Sequence, residues 1–179
     1  MMKSITITGI AVAILATSSF AAGRQSSTST ELTQEQKDTL LFIYQEEKVA
    51  RDVYITLGNA YANQTTFAMI QGSEQEHIDK AKGLCETYDV DISEVDESAI
   101  GVFVVPVLQE LYDTLVAQGY QSELSALMVG EYVELTDIED LEHAEIGMPS
   151  DVVNVYENLK AGSYNHLDAF RSAIDAYNN

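Results

Sequence analysis

The chain is short of residues that punctuate or staple a fold. Its 179 residues include two prolines, one cysteine and no tryptophan. A single cysteine excludes an internal disulfide framework. Cys85 therefore reads as a small buried hydrophobe, and the core has to hold without covalent help. Pro106 and Pro149 leave long stretches free of helix breakers. Cations are scarce as well: 9 Lys and Arg stand against 29 Asp and Glu, for a net charge of −20. Such a surface repels nucleic acid and anionic membranes and attracts cations. Nucleic acid is excluded as a partner on that ground.

Long apolar runs are missing too, apart from residues 5–16. That run follows Lys3 and precedes Ser19-Phe20-Ala21, which offers small residues where a signal peptidase reads. Residues 1–21 are predicted to be a signal peptide, cleaved near Ala21, which makes the protein exported, periplasmic or secreted. The run is too short for a transmembrane helix, and no membrane partner is expected for the mature form. Residues 22–31, rich in Ser and Thr, read as a flexible lead-in. Residues 32–179 form one helical domain.

What the chain does have is helical spacing. Thr33 and Gln36 resemble a capping box and open a helix over residues 33–58. A second helix is predicted over 65–88, a short one over 106–117, a third long one over 122–144 and a fourth over 150–177, with Ser150 as its N-cap. Little reads as strand, and no internal repeat is evident. The fold class is all-α: a bundle of four long helices, with a long crossover between the second and third that carries the short helix. Those two long helices would run parallel, and the short helix would pack across the outside or an end.

Each long helix carries ionisable groups inside its apolar stripe. Glu74 and His77 lie one turn apart, on a face shared with Phe67, Ile70, Ala81 and Leu84. Glu47 follows Tyr44 on the first helix. Glu131, Glu134 and Asp137 interrupt the stripe of the third. His166 stands in the stripe of Tyr156, Leu159, Ser163 and Phe170. Burying one carboxylate is costly, and converging several raises their pKa values unless a cation is shared. Glu47, Glu74, His77, Glu134, Asp137 and His166 are therefore candidate metal ligands. Carboxylate oxygens with imidazole suit iron, manganese or zinc better than magnesium or calcium. Arg51, one turn from Glu47, is read as its ion-pair partner or orienting group. Asp140 is a candidate to accept an imidazole N–H. Tyr44 and Tyr54 are candidates to line the site. His143, Glu46 and Glu76 are expected on the surface.

Four segments carry a resemblance. Glu47-Lys-Val-Ala-Arg51-Asp-Val-Tyr54, Ser73-Glu74-Gln-Glu-His77, Glu134-Leu-Thr-Asp137-Ile-Glu-Asp140 and Asn165-His166-Leu-Asp-Ala-Phe170 are similar, in that order, to segments of the ferritin-like superfamily. Rubrerythrin-type proteins carry a similar first helix. The chain most resembles an exported, uncharacterised branch, domain-of-unknown-function family 2202. The resemblance implies a dimetal site in which Glu47 and Glu134 are terminal carboxylates, Glu74 bridges, and His77 and His166 are terminal imidazoles. Ser163 departs from the pattern, standing where a second bridging glutamate belongs. Asp137, one turn from Glu134, is the residue that can compensate.

Three functions follow as expectations. The first is a non-haem iron oxidoreductase, holding one or two ions, that reacts with oxygen or peroxide in a ferroxidase or peroxidase manner. The second is a metal-binding module without turnover. The third is a metal-free helical interaction protein. A monomer or dimer is expected, because the long crossover does not suit a storage shell.

Overall fold

A computed structural model describes residues 31–178. The predicted signal peptide and nearly all of the lead-in lie outside the described residues. The helices are α1 (Gln34–Ala60), α2 (Thr65–Thr87), α3 (Pro106–Gly119), α4 (Glu123–Ala144) and α5 (Ser150–Tyr177). No strand occurs among the described residues, and no helix among them is long and apolar enough to cross a membrane.

Local chemistry sets the boundaries. Thr33 and Gln36 close a reciprocal capping box at α1, satisfying two of the donors that a helix start leaves free. Gln64 caps α2 through Thr66 N, Pro106 occupies the first turn of α3, and Ser122 caps α4 through Ser125 N. Ser150 does not cap α5. Pro149 takes that position without a side-chain hydrogen bond, and Ser150 is already helical. The extended φ/ψ of a residue after Gly147 and Met148 suits proline, which has no N–H to satisfy.

The long helices form a square. α1 borders α2 and α4, α5 borders the same two, and α3 lies outside against α1 and α4. An apolar layer at one end joins Leu57, Phe67, Leu127 and Phe170, and α3 adds Leu108, Leu111 and Leu115 to it. The layer at the other end joins Leu40, Tyr44, Ile78, Leu141, Val152 and Tyr156. α2 and α4 both run from the first layer to the second, so they are parallel, as the crossover requires. Between the layers the bundle interior turns polar.

α1 is the central element. Every residue from Ile43 to Tyr54 is buried, which an amphipathic surface helix does not do. Its inner face meets the bundle, and its outer face is covered by the crossover. Val104 N–H donates to Gln45 Oε1 (2.8 Å), Lys48 Nζ to the carbonyls of Ala99 (2.7 Å) and Val102 (3.2 Å), and Gly101 N–H to Asp52 Oδ2 (2.9 Å). Gly101 has φ +75° and sits against the Tyr112 ring, where a Cβ would lie 2.6 Å from a ring carbon. Only glycine combines that backbone with that approach.

Candidate metal centre

The polar middle of the bundle gathers side chains from all four long helices. Glu47 comes from α1, Glu74 and His77 from α2, Glu134 and Asp137 from α4, and Ser163 and His166 from α5; all are buried. Glu74 lies between the imidazoles. Its Oε2 is 3.2 Å from His77 Nδ1, and its Oε1 is 2.7 Å from His166 Nδ1. Glu47 Oε2 is 3.2 Å from His77 Nδ1, and Glu134 Oε2 is 3.5 Å from His166 Nδ1. One ligand atom each from Glu74, His77 and His166 falls within 4.8 Å of the others.

The surroundings fix these groups. Ser73 Oγ stands 2.9 Å from His166 Nε2, which turns Nδ1 inward. Tyr54 donates its hydroxyl proton to Glu134 Oε1 and packs with Phe67 and Phe170, ring centroids 6.2 and 5.1 Å away. Gly162 makes room for His77: a Cβ there would lie 2.4 Å from Nε2. Ser163 Oγ is 2.6 Å from Asp137 Oδ2 and 3.1 Å from the Leu159 carbonyl. The position expected to hold a second glutamate thus receives a carboxylate from α4 instead.

Acceptors outnumber donors here. Glu47 Oε1, Glu74 Oε1, Asp137 Oδ1 and His166 Nδ1 are buried without a hydrogen-bond partner. Glu74 Oε1 and His166 Nδ1 approach to 2.7 Å without the alignment of a hydrogen bond. Burial raises the pKa of Glu47 despite the opposing pull of His77. Burial and the Glu74 charge push Glu134 up to about 8. Burial and the charges of Glu47 and Glu134 push Asp137 well above the carboxylate range. Burial would raise Glu74 as well, but its contacts with His166 and His77 bring it below the ordinary value. Burial opposes the charged imidazoles, yet the carboxylates of Glu47 and Glu74 lift His77 to about 11, and those of Glu134 and Glu74 lift His166 to about 10. The donor set therefore fits a shared cation: clustered oxygen and nitrogen ligands, unpartnered acceptors and mutual repulsion.

Several expected roles are corrected. Arg51 does not pair with Glu47; it reaches Asp52 Oδ1 (2.7 Å), Gln75 Oε1 (2.6 Å) and the Glu97 carbonyl (2.7 Å), because its side chain leaves α1 toward the crossover. Tyr44 likewise turns to Glu97 Oε2 at 3.0 Å. Asp140 pairs with neither His77 nor His166. It is half-buried on α4, where the Glu46 carboxylate of α1 is near enough to influence it. Glu46 is buried, not solvated, with 5% of its surface exposed. Glu131 leaves the stripe for Arg171 Nε at 2.9 Å. Glu76 and His143 are exposed, and Cys85 is buried, as expected. The roles of Ser73 and Gly162 leave no mark in the sequence beyond their places next to Glu74 and Ser163.

Comparison with known proteins places the chain as a whole. An uncharacterised protein of Methanocaldococcus jannaschii, MJ0754, is 43% identical over 147 residues, spanning 82% of this chain and 78% of its own. The crystal structure of hypothetical protein MJ0754 superposes with a TM-score of 0.79 at 40% identity, covering 87% of this chain and 88% of that one. The model of an uncharacterized protein domain, DUF2202, matches residues 36–178. With that match running from the first turn of α1 to the end of α5, the chain belongs to the DUF2202 family.

Proposed function

We propose that the protein is an iron-binding oxidoreductase whose centre is the carboxylate–imidazole cluster of the bundle. The observation that carries the reading is Glu74, placed between two imidazoles with one oxygen toward each. Glu47 and His77 would hold an ion on one side, and Glu134 and His166 on the other. Asp137, held by Ser163, would stand in for the second bridging carboxylate. This is the arrangement implied by the ferritin-like resemblance, with one substitution.

Bound iron would supply electrons for reduction of dioxygen or hydrogen peroxide. The chain's own residues bind and orient. Ser73 fixes the His166 ring, Tyr54 holds Glu134 so that its other oxygen faces inward, and Phe67 and Phe170 keep water from that end. Loading requires the imidazoles to lose their protons, so binding strengthens with rising pH. The leader-like residues 1–21 would place this chemistry outside the cytoplasm, in a monomer or dimer.

A metal-free reading also has an observation in its favour. Each imidazole stands within ion-pair distance of two carboxylates, so two imidazolium groups alone neutralise part of the cluster. Elemental analysis after anaerobic reconstitution with ferrous iron separates these readings. We expect about two irons per chain, as in other carboxylate-bridged bundles, lost in Glu74→Ala. Wild-type metal content in Glu74→Ala sinks the iron centre. No metal in the wild-type chain leaves the ion-paired scaffold.

A further inference from the structure

We propose that Glu46, Asp137 and Asp140 form a second carboxylate site, through which divalent cations enter the bundle from solvent. The inference rests on the metal-binding reading above, since a buried centre needs a path for its ion.

A small cavity lies between α1, α3 and α4, with Leu111, Leu115, Tyr132, Thr136, Glu46 and Asp137 among its walls. Most of that lining is apolar, which makes its two carboxylates conspicuous. Glu46 and Asp137 are each 5% exposed. Glu46 Oε2 and Asp137 Oδ1 both lack a hydrogen-bond partner. Two unpartnered carboxylate oxygens on one buried cavity are costly unless something positive meets them.

The same residues form a row. Asp140 is half-buried on α4, one turn beyond Asp137 and so on the same face. Glu46 faces Asp137 across the same cavity and adjoins Glu47 on α1. Asp137 in turn lies one turn from Glu134 on α4, and its Oδ2 meets Ser163 Oγ at 2.6 Å in the bundle interior. The row thus runs from the rim of the bundle to the proposed ligands, on the side covered by α3. No imidazole or thiol lines the cavity. Oxygen ligands alone hold a first-row divalent ion more weakly than a site with two histidines. An ion admitted here would therefore pass on to the centre rather than remain.

Cobalt(II) uptake by the metal-free full chain, followed by stopped-flow visible absorbance, tests the path. Glu46→Gln and Asp140→Asn should slow loading about tenfold, the scale of electrostatic focusing by a charged cleft. Final cobalt per chain and the thermal midpoint should stay at wild-type values. Glu139→Gln, an exposed neighbour of Asp140, should load at the wild-type rate. If Glu46→Gln does not fold, Asp140→Asn decides, because its side chain is only half-buried. Wild-type rates in both variants overturn the entrance and leave the centre standing. A lower final cobalt content at an unchanged rate also overturns it, making Glu46 a ligand of the centre. A wild-type chain that takes up no cobalt removes entrance and centre together.

Discussion

Two polar regions are buried against opposite faces of α1, and they are built on opposite terms. On the outer face, Asp52 takes Lys48 Nζ at 2.7 Å, Arg51 Nη2 at 2.7 Å and the N–H of Gly101 at 2.9 Å. Lys48 fills its remaining donors with carbonyls of the crossover, and its Nζ lies 4.5 Å from the centroid of the Phe103 ring. Two cations share one carboxylate there, and backbone carbonyls take further donors, so each charge is met. On the inner face, four carboxylates meet two imidazoles, and polar atoms of Glu47, Glu74, Asp137 and His166 go without partners. A fold gains nothing from such an imbalance by itself. The outer region is a clasp that holds the crossover; the inner one is an arrangement that stability alone would not select.

The sharpest break of this comparison is to remove the centre of the clasp. Asp52→Ala leaves Lys48 and Arg51 buried without a counter-charge. Breaking a buried pair in this way costs about 3–5 kcal/mol. Urea denaturation of the metal-free chain should show that loss, with crossover residues 97–104 gaining hydrogen exchange first. A change below about 1 kcal/mol would mean that the clasp is not a buried ion pair in solution.

The centre should respond with the opposite sign. Asp137→Asn mimics the protonated side chain and relieves repulsion from Glu47 and Glu134, so the metal-free chain should gain about 0.5–2 kcal/mol near pH 9 while iron content falls. The pH dependence follows from the same groups. Glu134 titrates at about 8 in the folded chain against 4.5 as its ordinary value, and His77 and His166 at about 11 and 10 against 6.5. The folded state therefore holds more protons than the unfolded state from roughly pH 5 upward, and stability falls as pH rises. The imidazole contribution is complete below pH 6.5 and is lost through pH 10–11. Urea midpoints at pH 6, 8 and 10 check this trend, and bound iron should reverse it, because loading releases those protons. A flat profile in the metal-free chain would mean that the cluster is solvated.

How much of this was legible in the sequence differs between the two faces. The inner face was readable because Glu74 and His77, Glu134 and Asp137, and Ser163 and His166 each repeat one turn apart inside apolar stripes. Periodicity also gave the five helices, since nothing in the chain competes with it. The outer face was not readable. Arg51 and Tyr44 share the register of Glu47, and the crossover draws both away, Arg51 through the carbonyl of Glu97 and Tyr44 through its carboxylate. Backbone acceptors leave no trace in composition or spacing. Glu46 was misplaced for a related reason: α3 and α4 cover it, and a helix that is buried all round has no solvent face to infer.

Glu131 offers the smallest effect and the finest distinction. It follows Leu127 and precedes Glu134 with the spacing of a core residue, so spacing alone assigns it to the centre. The fold sends it to Arg171 instead, and the two side chains are 30% and 51% exposed. An ion pair in that setting contributes about 0–1 kcal/mol. Glu131→Gln should therefore shift the urea midpoint little and leave iron content and the pH profile at wild-type values. Loss of iron in this variant would add Glu131 to the ligand set and move the site about one turn along α4 toward the Phe170 layer. Retention, beside loss in Glu74→Ala, would show that the boundary of the centre on α4 falls between Glu131 and Glu134. There Tyr54, with its hydroxyl on Glu134 and its ring against Phe170, closes the polar interior.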